Sequence, residues 1–259
     1  MYMFSLKDSW LRMDRARYLL WEIYSHFEGY LDDDDEVVFP LKPVADYEEG
    51  SIQFVIERSP EQMTNLGVLV GEIIHNYRAA LDYMWWQFAC RGLGRTPDEK
   101  EAKFVQFPLV EKEESWSKNN KFFKFVSMVD VEHLKKFQPV SLDNGDGELV
   151  ALKLFIDLSN RDKHRALNVC IFPLLRVNFH NNSGKVITMI PLDLDGEFTV
   201  GAVVGKCLID LDGVDALTAV DTKFNAYIAE STSKVNILSF LQAMDTQCEM
   251  MLIESAKYF

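Results

Sequence analysis

The apolar pattern of this chain predicts an α+β fold. It comprises a mainly helical bundle of N-terminal, central, second core and C-terminal helices, with an N-terminal β-hairpin and a small antiparallel sheet after residue 165. Three observations carry that expectation. Long stretches repeat apolar side chains at three- and four-residue spacing, the signature of helices that bury one face. Shorter stretches alternate apolar and polar residues between Gly-, Asn- and Asp-rich turns, as half-buried strands do. Hydrophobic residues make up 48% and charged residues 26% of 259 positions, a globular balance that gives enough core to fold without staples.

In chain order, residues 6–28 read as the first helix because Leu6, Trp10, Met13, Leu20, Tyr24 and Phe27 recur on one side while Arg12, Asp14, Arg15 and Glu22 face water. The run Asp32 to Glu36 lacks the glycine and spaced ligands of a calcium loop and reads as a solvated acidic turn. Strands over 37–41 and 51–57 make the hairpin, joined through Glu48-Glu49-Gly50. A central helix covers 61–91, stopped by Gly92 and Gly94; apolar on most sides, it belongs in the middle of the fold. Beyond Phe107-Pro108 and a short helix over 130–137, a second core helix runs over 148–164 with Leu149, Leu152, Phe155 and Ile156 on its apolar face. Strands over 167–179, 185–192, 197–204, 207–211 and 224–230 follow, with His180 to Gly184 as a hairpin turn. The last helix, 234–256, carries Ile237, Phe240, Leu241, Met244, Cys248, Met251 and Leu252 on one face. The reading is one domain, with a helical core over 1–30, 61–164 and 234–256 and β insertions over 36–58 and 166–230.

Composition narrows the function classes. Charges from Lys7 to Arg17 interrupt any secretory apolar core, and the most apolar stretch, Ala79 to Cys90, contains Asp82 and Gln87. A soluble cytoplasmic protein with no membrane partner is expected. Cys90, Cys170, Cys207 and Cys248 form no Cys-x-x-Cys pair, so no zinc site, disulfide framework or cofactor is signalled. A net charge of −13 repels phosphate backbones at long range, so any contact with RNA needs a local basic pocket, whereas a basic protein partner fits the surface as a whole.

Two polar segments stand out. On the central helix, His75, Arg78 and Asp82 fall within an arc of about 60° at 100° per residue, on an otherwise apolar surface. Arg78 and Asp82, at i and i+4, are spaced to pair. On the second helix, Asp157, Asn160, Arg161 and His164 share an arc of about 100°, and Lys163 and Arg165 extend the basic character. The first stripe reads either as a structural ion pair with a hydrogen-bonded histidine or as a site. The second reads either as a solvated face with cations favoured by the helix dipole or as the other half of that site.

The block Gly71 to Tyr83 with Trp86-Gln87, the later Phe107-Pro108, and Leu158 to Arg165 resemble a set of uncharacterised bacterial proteins that share this order of blocks. More distantly, the arrangement is similar to HEPN domains, helical bundles with an arginine and a histidine on one helix that often act as metal-independent ribonucleases. Arg78 matches the arginine and Tyr83 stands in the histidine's place. The resemblance implies RNA binding, or RNA cleavage without metal, at a degenerate site. In that reading His75, Arg78, Arg161 and His164 carry the chemistry, as base, acid and positive charge for a developing phosphorane. Asn76, Asp82, Tyr83, Asn160, Asp162, Lys163 and Arg165 support or bind, and a homodimer would bring two such helices together. Two other readings stay open. One is a non-catalytic protein-interaction module; the other is a metal-dependent hydrolase with His75, His164 and Asp82 or Asp157 as ligands.

Overall fold

The computed structural model describes residues 5–30, 37–38, 41–46, 48–49, 51–58, 65–110, 113–118, 123–138, 147–162, 169–179, 189–191, 200–208, 220–228 and 236–259. Its helices are α1 (Lys7–Phe27), α2 (Leu66–Leu93), α3 (Glu99–Ala102), α4 (Glu113–Lys118), α5 (Met128–Lys135), α6 (Gly147–Asp162) and α7 (Ile237–Ala256). Its strands are β1 (Val37–Val38), β2 (Leu41–Asp46), β3 (Ser51–Ile56), β4 (Val169–Phe179), β5 (Met189–Pro191), β6 (Val203–Leu208) and β7 (Val220–Ile228). Helices dominate and, among the described residues, every strand pair is antiparallel, which is the α+β class the periodicity predicts. No described helix is long and apolar enough to cross a membrane.

The chain divides into two compact units, one of Met1–Ile23, Asn65–Asn168 and Ser239–Phe259, the other of Tyr24–Thr64 and Val169–Leu238. In the first, α2 supplies the largest share of the core: Tyr77, Trp85 and Phe88 are buried, as are Ile73, Ile74, Leu81 and Met84. Burying each such side chain contributes ~1.5–3 kcal/mol. The ring of Trp85 meets Phe107 and Phe123 edge-on at 6.0 and 6.2 Å. The helix runs through Gly92, where the sequence places a stop, to Leu93 and ends at Gly94, which is in the left-handed region (φ 68°) with its N–H donating to the Arg91 carbonyl. Gly92 is fixed differently, because a Cβ there would run into the Phe125 carbonyl oxygen. The apolar face of α7 is buried along its length. One carboxylate ties it to two other helices: Arg17 of α1 donates to both oxygens of Asp245 at 2.9 and 3.0 Å, and the Tyr77 hydroxyl of α2 donates to Oδ1 at 3.3 Å. Burial, then the negative charge of Asp245, pushes the Tyr77 phenol up, so it stays a donor.

In the second unit the strands form two sheets, ordered β1-β7-β4 and β2-β3-β6-β5. The hairpin differs from the expected one. Its first strand is Leu41–Asp46, paired with Ser51–Ile56 so that Leu41 faces Ile56, while Val37–Val38 pairs with β7 in the other sheet. The reason is local: the Asp46 carboxylate accepts from the Glu48 and Glu49 N–H groups, which places the turn there. Pro43, which argues against a strand, is tolerated because β2 is an edge. Val203–Leu208 is one strand through Gly205, across the gap between the expected strands 197–204 and 207–211. Among the described residues, the two strands expected to flank a turn at His180 to Gly184 pair elsewhere, β4 with β7 and β5 with β6. That turn itself and the acidic run at 32–36 lie outside the described residues.

Candidate functional site

On α2, Arg78 and Asp82 meet one turn apart. Arg78 Nε donates to Asp82 Oδ2 at 3.2 Å and Nη2 to Oδ1 at 3.1 Å, a bidentate pair. The pair grips a third party, the peptide of Phe107. Arg78 Nη2 donates to the Phe107 carbonyl at 2.6 Å, and the Phe107 N–H donates to Asp82 Oδ1 at 2.8 Å. Phe107 has no ladder partner, so without this clamp both of its peptide groups lose their hydrogen bonds beside a buried ring. The polar stripe therefore has a structural role: it fastens the connector after α3 onto α2.

The same arginine faces a small cleft of about 180 Å³, lined by Arg78, Gln106, Phe107, Pro108, Leu109, Ile156, Ser159 and Asn160. Helix α6 buries Leu152, Phe155, Leu158 and Ser159 and leaves Asn160 exposed. Two sequence-predicted residues, Arg78 and Asn160, thus come together from separate blocks, with Phe107-Pro108 between them. Among the described residues nothing accepts from Arg78 Nη1, which leaves two N–H donors beyond the clamp.

The remaining predicted residues scatter. His75 is exposed on α2 and lines neither described cleft. Asn76 is buried, its amide donating to the Glu72 carbonyl at 2.8 Å and its oxygen accepting from Arg12 Nη1 at 3.3 Å. Tyr83 is 38% exposed and accepts from Arg12 Nη2 at 3.2 Å. Arg161 and Asp162 close α6, but their side chains lie outside the description, and Lys163, His164 and Arg165 lie outside the described residues altogether. The expected meeting of His75 with His164 falls there too. Among the described residues no three His, Cys, Asp or Glu side chains gather in a way that could hold a metal ion.

A second and larger cleft went unforeseen. It measures about 690 Å³ and is lined by Asp8, Leu11, Arg12 and Arg15 of α1, Asp82, Tyr83, Trp86 and Gln87 of α2, and Val105. Of the two arginines that the sequence places toward water, Arg15 is exposed and pairs loosely with Glu72 at 3.6 Å, whereas Arg12 is only half-exposed and lies across the Tyr83 ring at 5.5 Å. The available signal was the spacing of Asp8, Arg12 and Arg15 at i, i+4 and i+7, one stripe of α1. Compared with known proteins, the chain matches no family model, no curated protein and no solved structure.

Proposed function

We propose that the protein binds single-stranded RNA without cleaving it, seating a phosphate group in the cleft of Arg78, Ser159 and Asn160. The observation that supports the reading is the convergence of three distant sequence blocks on that cleft, with two Arg78 donors left over. The sequence continues from Asn160 into Arg161, Lys163 and Arg165, the local positive charge that an otherwise acidic chain needs for a phosphate backbone. Binding is favoured over cleavage because Arg78 is held by three hydrogen bonds and Tyr83 stands where the HEPN resemblance places a histidine.

The test is fluorescence anisotropy with a labelled single-stranded RNA between about 50 and 200 mM salt, with the RNA examined on a gel afterwards. Affinity falls as salt rises, the RNA stays intact, and Lys163→Glu with Arg165→Glu weakens binding at least tenfold. Absence of binding at the lowest salt overturns the proposal. A second reading, the non-catalytic protein-interaction module, is favoured by the Arg78–Asp82 clamp, which gives the polar stripe a purely structural purpose. It is the outcome if RNA fails to bind.

A further inference from the structure

We propose that the cleft of about 690 Å³ between α1 and α2 is a separate binding site for a small planar organic anion, an aromatic ring carrying one carboxylate or phosphate group. The volume falls in the range of pockets that enclose small molecules, ~300–1,000 Å³. Its lining divides into an apolar wall and a charged one. Trp86 is half-buried and Tyr83 is exposed one turn away on the same face of α2; with Leu11 and Val105 they give a flat ring something to stack on. The i, i+3 spacing sets Arg12 beside Arg15 on α1.

Arg12 is pre-organised for an anion. Its two bonded donors go to Asn76 Oδ1 and the Tyr83 hydroxyl, both uncharged, and the ring of Tyr83 supports the guanidinium from one side. Its charge therefore meets no carboxylate in ion-pair range among the described residues, and three of its five N–H donors remain for a ligand. Arg15 adds a second cation whose 3.6 Å pairing with Glu72, half-exposed on both sides, is weak and easily exchanged. Of the two carboxylates in the lining, Asp82 is already neutralised by Arg78 and bonded to the Phe107 N–H, so it contributes little repulsion. Asp8, the other carboxylate, can accept a hydrogen bond from a ring N–H. Gln87, whose oxygen accepts from the Ser5 N–H at 3.4 Å, has amide N–H donors for a neutral polar substituent.

Calorimetric titration with indole-3-carboxylate and adenosine monophosphate, each against its neutral counterpart, indole and adenosine, tests the assignment. At least one anion binds at sub-millimolar concentration and at least tenfold more tightly than its neutral counterpart, and the comparison of the two distinguishes carboxylate from phosphate. Arg12→Ala and Arg15→Glu each weaken that binding at least tenfold, and Arg12→Lys restores part of it. Arg15 is exposed, so Arg15→Glu leaves the protein folded, and the same substitution in a Glu72→Gln background removes the repulsion from Glu72 and reports on the site. The proposal is overturned if neither anion binds at millimolar concentration, if the neutral compounds bind equally well, or if Arg15→Glu leaves the affinity unchanged.

Discussion

Arg78→Ala removes three hydrogen bonds at once and strands two groups, the Asp82 carboxylate and the Phe107 carbonyl. Breaking a fully buried ion pair from one side costs ~3–5 kcal/mol. Here the Arg78 side chain is 12% exposed but Asp82 is 30% exposed, so water partly rehydrates the orphaned carboxylate and the lower end applies, about 3 kcal/mol. Asp82→Asn keeps an oxygen for the Phe107 N–H but loses the charge that holds Arg78, at a cost of about 2 kcal/mol. In the double substitution neither charge is left alone, so the combined cost falls short of the sum by at least ~1 kcal/mol. Urea unfolding followed by circular dichroism supplies all four corners of the cycle. Additivity to within ~0.5 kcal/mol refutes the clamp as a coupled unit. An independent readout is hydrogen exchange at the Phe107 amide, which speeds up in either single variant before global unfolding does.

Gly92→Ala offers a test of sign, because glycine to alanine inside a helix ordinarily gains ~1 kcal/mol, whereas here the new methyl meets the Phe125 carbonyl oxygen and forces the backbones apart. The melting temperature drops, by an amount corresponding to ~1–3 kcal/mol; a rise contradicts the close approach. The Glu101 carboxyl, hydrogen-bonded by Arg95 and then by the Asp98 N–H, is held down to about 2. A depressed folded value means that this contribution is complete above the unfolded carboxylate range and is lost as pH falls toward about 2. Carboxyl NMR titration places the midpoint there, and Arg95→Ala moves it up toward the ordinary glutamate value.

The sequence by itself determined the helices, because a helix that buries one face writes its period into local residue spacing. The apolar run of α7 and the stop at Gly94 needed nothing but neighbours a few residues away. It also determined that Arg78 and Asp82 pair, since i and i+4 are adjacent on any helix. The strands were less legible. Pro43 and Gly205 argue against strands on local preference, yet pairing at an edge and between two partner strands overrides it. Only the tertiary structure decided what the polar residues touch. The clamp closes on a peptide 25 to 29 residues further along the chain, a non-local partner that no periodicity encodes. Arg12 and Arg15 lie off the apolar face of α1, which periodicity shows. Whether that side meets water or the Tyr83–Trp86 face of a second helix depends on where α2 packs, and packing is a property of the assembled core.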